Sequence, residues 1–509
     1  MQVRLSCFGA AFLALLSACS TPIGAPTAPA AETSLPTGAT RSFSLTGQLT
    51  RADHQTYREI PFTVPPGVTR LAIDLTYEGR DQKTVVDLGL RDPDGQRGWS
   101  GGNKSHIEVG AADATPSYRP GPLKPGTWLL VLGVPNIRDG VTSSFEAKVR
   151  LSADGAPTTA APISTTPGWR RGDFHTHTAH SDGSCDNGAG VRIPCPVVRT
   201  LEAASNARLD FIAITDHNTL THAQTLRELA PAFPDLLVIA GTEITTFNGH
   251  ANAIGLSAPI SFQLGSARLP DLAALQSEVE AANAILSINH PGQPSGEACM
   301  GCGWTVQPTD FSRIAAVEVA NGGTLRAGFS EGPVSGIPFW EKQLNQGFHL
   351  TAIGGSDNHD ATDTTGAKQS PVGKPATVVW SNSLSQPAIL AGVRSGRVFI
   401  DLQNQPGRLL DMTATVSAGT SISATNMGGT LVLAPGAAAT LHVTLEGAPG
   451  ATLELVSHNL SIIQSDDHKT ATIMHAQSND LSKSGWIRAN ARDAAGKLIM
   501  IGNPIYVTN

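Results

Sequence analysis

At 509 residues, with 40% hydrophobic and 15% charged side chains, 52 Gly and 34 Pro, the chain has a globular, turn-rich composition and is too long for one hydrophobic core. Domains of about 100–200 residues suggest roughly three. The formal charge is −7 and no Lys/Arg-rich run follows the first residues, so there is no electrostatic footprint for a phosphate backbone, and a nucleic acid polymer is excluded as a partner.

In chain order, the first segment reads as a targeting signal. Arg4 supplies the positive charge, Phe8 to Leu16 is an apolar stretch too short to span a bilayer, and Leu16-Ser17-Ala18-Cys19 resembles the bacterial lipobox. Residues 1–19 are expected to be a lipoprotein signal peptide with Cys19 the lipidated residue, and an ordinary cleavage site is the alternative. Acyl chains on Cys19 would hold the protein on a membrane by lipid anchor only. Ser20 is not Asp, which by resemblance to Gram-negative sorting places the protein in the cell envelope, on the periplasmic face of the outer membrane.

Residues 20–40, rich in Ala, Pro, Thr and Ser, cannot bury a core and read as a flexible tether. Across 41–153, short runs such as TRLAIDLTYEG, TVVDLGLRDPDG and GTWLLVLGV alternate at period two between turn signals, the pattern of an antiparallel β-sandwich. A Pro/Thr-rich linker occupies 154–168. From 169 to 403, apolar strand-like runs alternate with helical stretches such as DLAALQSEVEAANA, which predicts α/β architecture with a parallel sheet or barrel. Period-two runs return over 404–509, for a second β-sandwich-like domain.

Apart from Cys7 and Cys19, the cysteines are Cys185, Cys195, Cys299 and Cys302. Two disulfides are the preferred reading in an oxidising compartment, with the pairing open and a four-thiolate zinc site as the alternative.

The strongest chemical signal is DFHTHTAHSDG, residues 173–183. On a strand His175 and His177 share a side, so both imidazoles can reach one ion, and Asp182 lies on the loop beyond. Asp216 and His217 follow IAIT, Glu243 follows VIAGT, His250 opens HANAIGL, His290 follows AILSIN, and Asp357 and His359 follow AIGGS. Six histidines and four carboxylates thus stand at the ends of successive predicted strands, where α/β barrels build active sites. Holding so many buried charges without a metal would require a private partner for each. Imidazole and carboxylate donors suit Zn, Mn or Fe.

The motifs HxHxxxSDG, TDHN, GTE, GHANAIG, NHP and SDNH appear in the order seen in the PHP (polymerase and histidinol phosphatase) metallohydrolases, and residues 170 to 400 resemble that family. The GHANAIG form and the flanking sandwiches resemble the branch that includes carbaryl hydrolases. The resemblance implies a distorted (βα)7 barrel with two to three divalent ions at its mouth. It implies one ion on His175, His177, Glu243 and Asp357, a second on Glu243, His250 and His290, and a third on Asp182, His217 and His359. Close-spaced ions would lower the pKa of a shared water, giving a bridging hydroxide as nucleophile. Asp216 is expected to orient His217 or a nearby water.

His180, Lys374 and Arg397 are candidate substrate contacts, and Glu318 and Asn321 candidates for supporting the site. His222 and His349 read as ordinary surface or helix residues. Three functions compete: a phosphoesterase acting on a small-molecule ester, a carbamate, ester or amide hydrolase, and an envelope binding protein with an inactive barrel. Nothing in the sequence sets an oligomeric state.

Overall fold

The computed structural model describes residues 33–154, 161–297, 299–418, 421–434, 437–464, 469–475 and 485–508. Cys19 and the rest of the expected signal peptide lie outside the described residues. The architecture is mostly sheet with few, short helices.

Two four-stranded antiparallel sheets make the N-terminal unit. One orders Thr40–Leu49, Ser143–Ser152, Arg70–Tyr77 and His106–Gly110, the other Tyr57–Val64, Gly126–Asn136, Val85–Asp92 and Gly95–Trp99. Their period-two sequences turn Phe145, Val149, Leu71, Ile73, Leu88 and Leu130 into one shared core. At the DPDG turn the Asp92 carboxylate accepts from the Asp94 and Gly95 amides at 2.8 and 2.9 Å, and Gly95 takes φ +129°, which a side chain would resist.

A fourteen-stranded sheet carries the chemistry-bearing residues. Gly168–Asp173, Phe211–Ile214 and Leu237–Thr246 run parallel, as do Ile285–Ile288, Ala316–Asn321 and Thr351–Gly355. Gly249–Ile254 sits between the two sets and is antiparallel to both neighbours, because only a tight turn joins it to Leu237–Thr246. Phe211–Ile214 and Ile285–Ile288 are buried along their whole length, the mark of strands covered on both faces. Helices Val197–Asn206, Ala223–Leu229 and Ile337–Leu344 supply crossovers between parallel strands.

Among the described residues no ladder closes these seven strands into the hydrogen-bonded (βα)7 barrel expected from the resemblance. Beyond the strands, a single parallel bridge Thr176↔Asn358 joins the first and last of them. It is flanked by Asp357 N–H donating to the His175 carbonyl and His177 N–H to the Asn358 carbonyl, each at 2.9 Å. The reason is local: the bulge of Ala316–Asn321 against Thr351–Gly355 and the left-handed Asp357 turn the chain out of register there.

The sheet also runs past residue 403. Val398–Asp401 pairs antiparallel with Leu498–Gly502, and the ladder continues into Gly485–Arg492 and Ile505–Thr508. That pairing covers an edge strand that would otherwise expose unpaired backbone groups. Asn503 stitches the join by bonding both the N–H and the carbonyl of Ala352, at 2.7 and 2.9 Å. A five-stranded sheet containing Leu409–Ala418 and Ala438–Glu446 packs on this extension through Met412, Leu441, Ile487 and Ala489. At the other end, Arg227 donates to Glu108 and Asp113 at 2.9 Å each and fastens the N-terminal sandwich to the central unit.

Candidate metal centre

The residues at the strand ends meet around Glu243. Its Oε1 lies 3.4 Å from His175 Nε2, 3.4 Å from His250 Nδ1 and 3.3 Å from His290 Nε2, and its Oε2 lies 3.6 Å from His177 Nε2 and 2.8 Å from His217 Nδ1. Asp357 Oδ1 stands 3.3 Å from His175 Nε2 and 3.1 Å from His177 Nε2. Asp182 Oδ1 is 3.3 Å from His359 Nε2 and 3.6 Å from His217 Nε2. The nine residues sort into overlapping donor groups: His175 with His177 and Glu243; His175 with His290 and Asp357; Glu243 with His250 and His290; His177 with Asp182, His217 and His359.

This donor set fits divalent ions on its own evidence. His175 Nε2, which faces Glu243 and Asp357, is a buried atom without a hydrogen-bond partner, and the inward donors of His177 and Glu243 lie beside it. His175, His177 and Glu243 are each 1% exposed, so those lone pairs cannot turn to water. His290 and Asp357 also hold φ of +27° and +52°, a left-handed backbone that non-glycine residues adopt at a cost and that recurs at ligand-holding sites.

Hydrogen bonds on the far side of the rings decide which nitrogen faces inward. A carbonyl can only accept, so the 2.9 Å contact of His359 Nδ1 with the Asp357 carbonyl puts the proton on Nδ1 and frees Nε2 toward Asp182. His175 Nδ1 lies 3.1 Å from Glu318 Oε1, which frees its Nε2 in the same way. Asn289 Nδ2 donates to Glu243 Oε1 at 2.9 Å. These are the outer partners a metal site uses to aim its ligands.

Electrostatics divides the histidines. Burial works to lower the His175 pKa, but the carboxylates of Asp357, Glu243 and Glu318 outweigh it and hold the ring well above its ordinary value. Burial and then the neighbouring His359 and His217 rings push His177 down to about 4. His177 is stacked between those two rings, with centroids 4.1 and 4.3 Å away, so it stays neutral and able to ligate. For His359 burial again lowers, but Asp182 and Asp357 raise it to about 9. Burial opposes the ionisation of Glu243 and Asp357, yet the surrounding imidazoles keep both well below the usual carboxylate range.

Other expected roles differ. Asp216 does not touch His217: its oxygens accept from Thr178 N, Thr178 Oγ1 and Ser181 Oγ at 2.7 Å each, and lie 2.9 Å from His222 Nδ1. It therefore holds the loop that carries Asp182. His222 is fully buried as that partner, not a surface residue, while His349 stacks on Tyr506 at 3.6 Å. His180 stands at the rim with Nδ1 2.8 Å from Thr221 Oγ1. Arg397 pairs with Asp411 at 2.6 Å and lies over the Trp380 and Trp169 rings, and none of these partners belongs to the cluster. Lys374 lines two cavities, of about 230 and 340 Å³, neither of which contains a cluster residue. Glu318 Oε2 accepts from the His290 amide at 2.9 Å, and Asn321 Nδ2 lies 3.2 Å from Asp357 Oδ2, so both support the cluster.

The cysteines pair as Cys185–Cys195 and Cys299–Cys302. The first packs by Ala361 and the second beside His250 and Gln293, so no four-thiolate site forms from them. Sequence reasoning missed Asp173, whose buried carboxylate accepts from the His175, Ser356 and Gly373 amides at 3.1, 3.0 and 2.7 Å. It also missed Asn289 and Thr245, whose Oγ1 is 2.7 Å from His217 Nδ1. Each of the three is one or two residues from a proposed ligand, and that adjacency was the available signal.

No family model matches the chain, and no curated protein matches it. Among solved structures, the chain is similar to a two-domain protein from Bacteroides vulgatus described as containing a predicted PHP-like metal-dependent phosphoesterase. The identity is 19% and the TM-score 0.36, over 67% of this chain and 96% of that one.

Proposed function

We propose that this protein is a metal-dependent hydrolase of the PHP type, acting on a small phosphate ester in the cell envelope. The observation that carries the reading is the convergence of five imidazoles on the Glu243 carboxylate, with the buried His175 Nε2 left without a hydrogen-bond partner. We read the seven strands around it as a distorted barrel, and residues 1–19 as a lipoprotein signal that anchors the chain through Cys19.

His175, His177, Asp182, His217, Glu243, His250, His290, Asp357 and His359 would hold two to three divalent ions of Zn, Mn or Fe. When bound, such ions supply Lewis acidity and lower the pKa of water. The chain's own part is positioning. Glu318 and the Asp357 carbonyl keep His175 Nε2 and His359 Nε2 turned inward. Asp216 and Asp173 fix the backbone on either side of His175 and His177. Asn289 restrains the shared carboxylate of Glu243.

A second reading, hydrolysis of an aryl carbamate, ester or amide by the same centre, is favoured by the apolar rim. Phe247 and Met300 are 92% and 72% exposed on the two turns that flank His250. Elemental analysis of the purified chain, followed by assay beside His177→Ala on phosphomonoesters, phosphodiesters and aryl carbamates, tests both. Two to three metals with one substrate class turned over, and lost in the variant, selects the reading. No metal and no turnover after adding Mn or Zn leaves the envelope binding protein.

A further inference from the structure

The turn Cys299-Met300-Gly301-Cys302 lies against His250, and the metal-dependent function does not by itself explain it. His250 is 4% exposed, and its Nε2 sits 3.0 Å from the Met300 carbonyl oxygen. Because a carbonyl cannot donate, Nε2 carries the ring proton and Nδ1 keeps its lone pair. That Nδ1 is the atom facing Glu243 Oε1, within the donor group of Glu243, His250 and His290. The Met300 side chain is exposed, and the contact with His250 belongs to the backbone of the turn.

The Cys299 end of that backbone exchanges two hydrogen bonds with Gly296, at 3.1 Å each, and the rest of the turn is held more loosely. Cys302 N–H reaches the Cys299 carbonyl at 3.4 Å, and Gly301 N–H donates to Ser295 Oγ at 3.0 Å. Gly301 has φ +81° and lies against the Thr246 carbonyl, where a Cβ has no room. The Cys299–Cys302 bond ties the two ends of the turn together.

Resting on the metal-dependent reading above, we propose that the Cys299–Cys302 turn is a positioning element for His250: it fixes the tautomer that coordinates through Nδ1, and so makes metal affinity at that donor group depend on the redox state of the two cysteines. Reduction transfers two electrons and two protons from a dithiol, which becomes a disulfide, and the Cys299–Cys302 S–S bond becomes two thiols. The released turn no longer pins the Met300 carbonyl, and His250 is free to carry its proton on Nδ1. Loss of such an outer partner weakens metal affinity by about 10–100-fold.

The test uses the full chain in four forms: oxidised, reduced with a non-chelating phosphine, Cys299→Ser/Cys302→Ser, and Gly301→Ala. The double variant leaves Cys185–Cys195 intact, and Gly301→Ala displaces the turn with its disulfide in place. Zinc affinity is read by chelator competition, and the His250 tautomer by long-range 1H–15N correlation in the metal-free protein. One zinc site weakened at least about tenfold in the last three forms, with His250 leaving the Nε2–H tautomer, supports the proposal. Equal affinity and an unchanged tautomer in all four overturn it. So does an extra zinc taken up on reduction, because the two sulfurs and a His250 nitrogen lie within 4.8 Å of one another and would then be ligands themselves. A chain that binds zinc in no form refutes the metal-dependent function as well; zinc bound equally in every form refutes the turn alone.

Discussion

Replacing Glu318 by Gln keeps the shape of a buried side chain and changes what it can accept. Glu318 Oε1 lies 3.1 Å from His175 Nδ1, while Oε2 accepts from the His290 amide at 2.9 Å and from Asn321 Nδ2 at 3.3 Å. A glutamine offers one oxygen and one NH2. With the oxygen toward His175, the NH2 meets two other donors, and a buried unpaired N–H costs about 1–3 kcal/mol. With the oxygen toward His290, the NH2 meets His175 Nδ1 and draws its lone pair, which moves the ring proton to Nε2. That nitrogen faces Glu243 and Asp357 at 3.4 and 3.3 Å, so the lone pair needed by a metal is lost. The second orientation is expected to lower metal affinity about 10–100-fold, or about 1.4–2.7 kcal/mol, while the first lowers the stability of the fold. Chelator competition with zinc on the wild type and Glu318→Gln, with urea unfolding of both metal-free proteins, measures the two costs separately. Wild-type zinc affinity together with wild-type urea stability in the variant would refute the claim that Glu318 sets the His175 tautomer.

Two further outcomes are expected. In the metal-free protein His359 is raised from 6.5 to about 9, so its contribution to stability is full below pH 6.5 and is lost as pH rises to about 9. Burial opposes that shift and the Asp182 and Asp357 carboxylates produce it. Bound metal keeps the ring deprotonated, so calorimetric Tm should fall between pH 6.5 and 9 for the metal-free chain and stay flat for the loaded one; parallel curves contradict this. Asp216→Ala strips the acceptor from Thr178 N, Thr178 Oγ1 and Ser181 Oγ. At about 1 kcal/mol or more per orphaned donor, urea unfolding should register a loss of about 3 kcal/mol, and a loss below about 1 kcal/mol would count against the loop-holding role.

Much of the site is legible in the sequence alone. Metal-type donors have to stand where chain segments end together: Glu243, His290 and Asp357 each follow an apolar run that the fold buries, and His175 and His177 are marked by their own HxH spacing after the strand GWRRGD. Charge and residue type therefore announced the cluster. The errors fell on residues whose role depends on a partner remote in sequence. Arg397 carries a cation suited to a substrate anion, but Asp411 and two tryptophans claim it. His222 has no ligand-like neighbour in sequence, and only the fold places it 2.9 Å from Asp216.

What the sequence determined by itself is the alternation of strand, turn and helix, the inward faces of the strands and the identity of the donor atoms, because these follow from local periodicity and side-chain chemistry. The tertiary structure alone decided three things. It chose which cysteines pair, set the C-terminal strands as an extension of the central sheet through Val398–Asp401 and Leu498–Gly502, and selected which nitrogen of His175, His250 and His359 faces inward. The reason is the same in each case. A disulfide, a ladder and a tautomer are settled by the group on the other side, and for His250 that group is the Met300 carbonyl, fifty residues away along the chain.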